Sequence, residues 1–252
     1  MKAVHYKLLN KYLMQSFQFN VIGHIESPYK EKFAIPRQPG LVQGGAGRLH
    51  LHSQFNDSNA VRGLSQFSHV WVLFVFHQTM KNGWKPLVRP PRLGGNDKMG
   101  VFATRSTFRP NPIGMSLVEL HGITIENNQV TLELGSIDLV DGTPVIDIKP
   151  YLPFAEAIPT ATAGYAQDIP SDDMQVIFTP EIETELDDYQ NHYPGIKQFI
   201  SQVLMQDPRP AYKKQSTETR DYAVHLLDFN IRWRVIDGVT EVFAIEPYEK
   251  SR

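Results

Sequence analysis

The stretch SLVELHGITIENNQVTLEL, residues 116–134, carries two runs rich in Val, Ile, Leu and Thr, 116–125 and 129–134, joined across Asn127-Asn128. Asn tolerates the left-handed backbone of a tight hairpin turn, so the pattern predicts two antiparallel strands. Working outward, five more short runs of the same kind lie at residues 19–25, 48–52, 69–76, 100–105 and 144–148. Gly/Pro-rich turns separate them, and no strong amphipathic helix intervenes. Seven short strands so arranged predict a sandwich or barrel rather than a βαβ array.

The composition shifts near residue 155. Residues 154–173, built of Ala, Pro, Thr, Ser and Gly, lack periodicity and predict an extended linker. Thr179-Pro180 then supplies an N-cap and a first-turn proline, and five acids follow in EIETELDD (181–188), where negative charge suits a helix N-terminus. After Pro194-Gly195, the stripe Ile196, Phe199, Ile200, Val203 and Leu204 has the spacing of a helix, which Asp207-Pro208 ends. Residues 222–227, 230–236 and 239–245 read as strands, the last two joined at Asp237-Gly238. The expected organisation is an N-terminal extension (1–16), a mainly β domain forming a small closed β-barrel (17–157), and a smaller α+β C-terminal domain (158–252).

With 252 residues, 41% hydrophobic and 21% charged, the chain has enough apolar side chains for a real core. Its 25 basic and 27 acidic residues leave a net charge of −2, so no global basic field announces a nucleic-acid partner. The absence of cysteine excludes disulfides, thiolate nucleophiles, Cys-ligated zinc and iron–sulfur chemistry. No apolar run approaches the roughly 20 residues of a membrane-spanning helix, and the first residues lack a secretory pattern. A cytoplasmic protein is expected.

Familiar nucleotide signatures are missing. Gly44-Gly45-Ala46-Gly47 does not fit G-x-G-x-x-G and leads into a strand, and there is no P-loop, H-E-x-x-H or G-x-S-x-G. His69 and His77 share a strand face but lie roughly 26 Å apart at about 3.3 Å per residue, too far to share a metal. His50 and His52 are within reach of each other; partly exposed strand histidines account for them, and no metal is expected.

Chemistry concentrates in residues 81–110, which hold Lys81, Lys85, Arg89, Arg92, Lys98, Arg105 and Arg109 against one acid, Asp97. Such a local basic surface on a near-neutral chain points to selective anion binding. The arginines are interleaved with Trp84, Phe102, Phe108 and several prolines, which limit the entropy lost when loops order around a ligand.

The string PRLGGNDKMGVFATRSTFRPNPIGMS (91–116) closely resembles the signature of the TsaA-like family, the TrmO tRNA (adenine-N6)-methyltransferases in particular. The resemblance extends to GHIESPYKEKFAIPRQPG (23–40), VRGLSQFSHVWVLFVFHQTM (61–80), SIDLVDGTPVIDIKPYLPFAE (136–156), DPRPAY (207–212) and DFNIRWRV (228–235). It implies a homodimer that uses S-adenosyl-L-methionine, held in a small β-barrel, to N6-methylate threonylcarbamoyl-adenosine at tRNA position 37, beside the anticodon.

The resemblance also implies site residues. Cofactor contacts are expected at Gln38, Pro39 and Gly40 in a turn, at His77 and Gln78 ending the most apolar strand, at Arg105, and at the turn Asp138, Leu139, Val140 and Asp141. Arg105 is expected to grip the cofactor carboxylate, and Arg92, Arg109 and Asn111 to face the substrate. Tyr212, Arg232 and Arg234 in the C-terminal part are expected to meet the anticodon loop, where a stacking ring with basic neighbours suits unpaired bases. Methyl transfer from a sulfonium needs positioning more than a nucleophilic side chain. A base for the acceptor nitrogen is left open between Asp138 and Asp141. The alternative is a non-catalytic module that binds S-adenosylmethionine or RNA; a phosphate-ester hydrolase lacks a metal-ligand cluster.

Overall fold

The computed structural model describes residues 16–94, 97–169, 174–209 and 220–248. Six strands close into an antiparallel barrel: β1 (Gly23–Glu26), β2 (Ala46–Leu51), β3 (His69–Val75), β6 (Ile113–Glu126), β7 (Gln129–Ser136) and β8 (Pro144–Pro150), in the order β1-β2-β7-β6-β3-β8. Alternation along β3 sends Val70, Val72 and Phe74 into the core, and Val118, Leu120, Leu132, Leu134 and Val145 meet them from neighbouring strands. β6 is long enough to serve two neighbours. Residues 113–119 pair with β3 and residues 120–126 with β7, and the register of that second pairing slips between Leu120 and Gly122. A slip of this kind bends a strand and helps a small sheet close.

The barrel has six strands, not the seven expected. Of residues 100–105, Gly100 belongs to the two-residue strand β5 (Met99–Gly100), which pairs only with β4 (Leu87–Val88), and Val101–Ala103 form a 3-10 turn. Val101 is buried but Phe102 is 76% exposed, so the run has no second face to cover. It becomes part of a long connection between β3 and β6. The first strand also starts later than expected, at Gly23, with Ile22 donating its amide to Val145 at 2.8 Å.

The C-terminal part forms a four-stranded sheet in the order β10-β11-β12-β9, from β9 (Gln175–Phe178), β10 (Asp221–Leu226), β11 (Phe229–Ile236) and β12 (Val239–Pro247). β9 runs parallel to β12 and was not expected, because four residues are too short for a periodic signal. The helices Pro180–Tyr189 and Ile196–Met205 form where the caps and stripe predict, and Ile196, Phe199, Ile200, Val203 and Leu204 are all buried. Residues 154–169 are not wholly extended. A helical turn, Pro153–Glu156, is held as Glu156 accepts bonds from Trp71 Nε1 at 2.9 Å and the Leu152 amide at 3.0 Å, and a 3-10 turn follows at Gly164–Ala166.

The two parts share one apolar core. Fully buried Tyr29 joins them, its backbone bridged to Leu226 and its ring 5.7 Å from that of Phe199. The Leu227 amide donates to Pro28 at 2.8 Å and the His225 amide to Glu31 Oε1 at 3.1 Å. These contacts hold the connection after β1 firmly in place, and that connection walls the site described next.

Candidate active site

The connections β1–β2, β3–β6 and β7–β8 all leave the same end of the barrel, as antiparallel order requires, and there they surround a cavity of about 690 Å³. Phe33, Ile35, Phe74, Phe76, Phe108 and Met115 supply apolar walls. Of the expected cofactor residues, Gln38, His77, Gln78, Arg105, Asp138, Leu139 and Val140 line it, as does Arg109 from the expected substrate set. Segments one hundred and more residues apart in the chain, such as Gln38 and Asp138, thus meet at one opening. Its size falls in the range of small-molecule sites, roughly 300–1,000 Å³.

Arg105 reaches across the opening. Its Nη1 donates to Gln38 Oε1 at 2.7 Å, tying the β3–β6 connection to the β1–β2 connection. Gly40 has a φ of +82°, and its amide donates to Ser136 Oγ at 3.1 Å, so it shapes the turn behind Gln38 while Gly40 and Pro39 stay outside the lining. His77 follows β3 in a tight turn in which its amide donates to Val75 at 2.8 Å.

Asp138 is the one carboxylate among the described lining residues. Ser116 Oγ donates to its Oδ1 at 2.6 Å. Burial dominates its titration and pushes the carboxyl up to about 6, against the opposing pull of the Ser116 hydroxyl and the Arg105 charge. Asp141, three residues on, does not line the cavity. Its Oδ1 accepts the Ser27 amide at 2.9 Å, and its Oδ2 pairs with Lys30 Nζ at 2.9 Å.

Arg109 is pinned to its own loop, with Nη1 donating to Thr104 at 3.1 Å and Ser106 at 3.4 Å. Arg92 and Asn111 lie outside the lining; Arg92 donates to the Asp168 carbonyl, and the Asn111 carbonyl accepts the Ile113 amide at 2.7 Å. Arg232 and Arg234 stand on the C-terminal sheet. Arg232 pairs with Glu246 at 3.4 Å and Asp221 at 3.7 Å, Arg234 pairs with Glu241 at 2.7 Å, and both guanidinium groups lie over the Phe243 ring. Tyr212 lies outside the described residues.

The sequence reading did not single out Lys32, Arg37 or Ser116, all of which line the cavity. The first two stand in the quoted string 23–40, just ahead of Gln38, where their charge was a usable signal. Ser116 sits inside an apolar run and carried none. Lys32, Arg37 and Arg109 of the lining, and Lys81, Lys85 and Arg89 of the β3–β6 connection, have no carboxylate partner among the described residues, and Phe33 of the lining and Trp84 and Phe102 of that connection are exposed. Lys85 Nζ lies 4.7 Å above the Phe108 ring.

Residues 24–157 match the family model for the tRNA-methyltransferase O N-terminal domain, and residues 171–248 match that for the TrmO C-terminal domain. The chain is 63% identical over 234 residues to the tRNA (adenine(37)-N6)-methyltransferase of Escherichia coli K12, covering 93% of this chain and all of that one. It is 46% identical over 213 residues to a putative S-adenosylmethionine-dependent methyltransferase, RcsF, of Pseudomonas aeruginosa, covering 84% of this chain and 90% of that one. The crystal structure of TrmO from Pseudomonas aeruginosa superposes with a TM-score of 0.73 at 37% identity, over 92% of this chain and 98% of that one.

Proposed function

The chain belongs to the tRNA-methyltransferase O family, and from that premise we propose that it uses S-adenosylmethionine to methylate N6 of adenosine 37 in tRNA, the base bearing a threonylcarbamoyl group. The observation that carries the reading is the lining of the cavity. Aromatic walls suit a nucleoside, Arg105 suits a carboxylate, and a single half-buried acid, Asp138, suits a cationic ligand. These are the groups that S-adenosylmethionine presents.

Gln38, His77, Gln78, Arg105, Asp138, Leu139 and Val140 form the proposed cofactor contacts, with Pro39, Gly40 and Asp141 holding their turns in shape. When bound, the cofactor supplies an electrophilic methyl group on a sulfonium. The chain's part is to exclude water with Phe74, Phe76 and Phe108 and to present the acceptor nitrogen in line with that methyl.

For the RNA, we assign phosphate contact first to the unpaired cations of the cavity lining and of the β3–β6 connection, with exposed Phe33, Trp84 and Phe102 as stacking surfaces for unpaired loop bases. Arg92, Arg109 and Asn111 stand on that side. Arg232 and Arg234 on the C-terminal sheet are assigned a second RNA contact, with Tyr212 kept beside them as the sequence suggests. The enzyme acts in the cytoplasm as a homodimer.

The test is label transfer. Methyl-labelled S-adenosylmethionine and purified protein are incubated with tRNA bearing or lacking the threonylcarbamoyl group, and label is expected only in the former. Label in neither, despite cofactor binding, identifies a binding module instead; label in both overturns the claimed substrate group. Light scattering at working concentrations tests the dimer.

A further inference from the structure

We infer that Asp138 is the catalytic base of this reaction, the group that receives the N6 proton of the acceptor adenine; the inference rests on the methyl transfer proposed above. Two carboxylates in the turn 138–141 have the right chemistry, and the fold separates them. Asp141 is engaged by the Ser27 amide and the Lys30 ammonium outside the cavity. Asp138 is the one acid among the described residues that line the cavity.

The acceptor nitrogen explains why a base is needed. Its lone pair is delocalised into the purine ring and the neighbouring carbonyl, so it attacks weakly while it keeps its hydrogen. In the proposed step the N6–H bond breaks and the proton goes to the Asp138 carboxylate. N6 forms its bond to the methyl carbon as the S–C bond breaks, and that bond's electron pair stays on sulfur. The products are methylated base, the neutral thioether and protonated Asp138, which returns its proton to water after release.

Geometry prepares Asp138 for this part. Ser116, on the rigid start of β6, donates to one carboxylate oxygen at 2.6 Å and orients the group. No ion pair neutralises Asp138 among the described residues. The charged or titratable groups facing it or sharing its cavity are Arg105 and the buried Tyr29 phenol, then Lys32, Arg37, His77 and Arg109. Arginine and lysine are protonated and cannot accept. Burial raises the affinity of the carboxylate for a proton while leaving it ionised at neutral pH, the compromise that general-base catalysis favours.

Asp138→Asn keeps the shape of the side chain and removes the base. Single-turnover methylation at saturating cofactor is expected to slow about 100-fold or more, a larger loss than the fall in cofactor affinity that calorimetry reads for the removed charge. The wild-type rate should rise with pH through an apparent pKa near 6, and that limb should be missing from the Asn variant. Ser116→Ala removes a bond that favours the charged form, so the limb should move to higher pH. A readout free of turnover is the 13C-carboxyl spectrum of aspartate-labelled protein without ligands. One resonance should titrate near that value, vanish in Asp138→Asn and shift upward in Ser116→Ala. An active wild type with an equally active Asn variant overturns the inference. So does a rate that recovers fully at saturating cofactor, which leaves Asp138 a counter-ion and nothing more. A wild type that labels no tRNA overturns the underlying reaction instead.

Discussion

Phe74 and Gly114 are direct partners across β3 and β6, and a Cβ at position 114 would stand 2.3 Å from the tip of the Phe74 ring. The ring lies over the bare glycine backbone, and both residues line the cavity. Glycine there lets an aromatic wall fold flat against the barrel.

Gly114→Ala therefore pushes a buried ring rather than a flexible tip. A cost of about 1–3 kcal/mol is expected from overpacking, seen as a lower melting temperature. Calorimetry should also show weaker S-adenosylmethionine binding, because the displaced ring moves into the cavity. Unchanged stability and affinity together would refute this account of the wall.

Burial raises the Asp138 carboxyl from 3.8 to about 6, so the folded state holds this proton more tightly than the unfolded chain does. The stability it contributes is complete below about 4 and is lost as pH rises through about 6. At pH 8 the ionised group is a liability of about 3 kcal/mol, taking about 1.4 kcal/mol per unit. Asp138→Asn should melt several degrees above wild type at pH 8, with the gain shrinking towards zero near pH 4. A constant difference across that range would refute the burial argument.

Removing the guanidinium in Arg105→Ala should weaken cofactor binding by about 10- to 100-fold, the worth of one to two charge-assisted bonds. Gln38→Ala takes away only the 2.7 Å anchor of that guanidinium and should cost less. Arg105→Lys should not restore affinity fully, since an ammonium lacks the planar fork. Calorimetry on the three variants gives the ranking.

Unpaired and paired cations should behave differently towards tRNA. Lys85, over the Phe108 ring with no carboxylate partner among the described residues, should lower the salt slope of binding by about one when changed to Ala. Arg232 already faces Glu246 and Asp221, so Arg232→Ala should change the slope less. Titrations at several salt concentrations decide; a larger effect at Arg232 would move the main phosphate contact to the C-terminal sheet.

Asp141→Ala is expected to act mainly on stability, with only a small effect through the cofactor turn. It releases the Ser27 amide and the Lys30 ammonium at the end of β1, a loss of about 1–2 kcal/mol. Cofactor affinity should stay within about twofold of wild type. A large loss of affinity without a fall in melting temperature would return Asp141 to the binding site.

Local signals in the sequence were enough for much of the fold. The Asn127-Asn128 and Asp237-Gly238 turns have the positive φ values that their residue types favour, and the stripe from Ile196 to Leu204 is buried as its spacing requires. Family membership was equally legible, because the quoted Gly-, Pro- and Arg-rich strings fall within the matched regions. Residues 100–105 were misread because their β-type composition says nothing about whether a partner strand exists.

The sequence by itself determined most of the element types, the hairpins, the family and most of the residues singled out for the site. The tertiary structure decided which of those residues share a cavity. Asp138 and Asp141 are the same amino acid three positions apart, yet one is half-buried in the cavity wall and the other is tied to Ser27 and Lys30. Likewise Arg232 looks like a free cation in the chain until Asp221 and Glu246 are brought beside it by neighbouring strands. Solvation and charge pairing depend on neighbours distant in sequence, so only the closed barrel and its docked sheet set them.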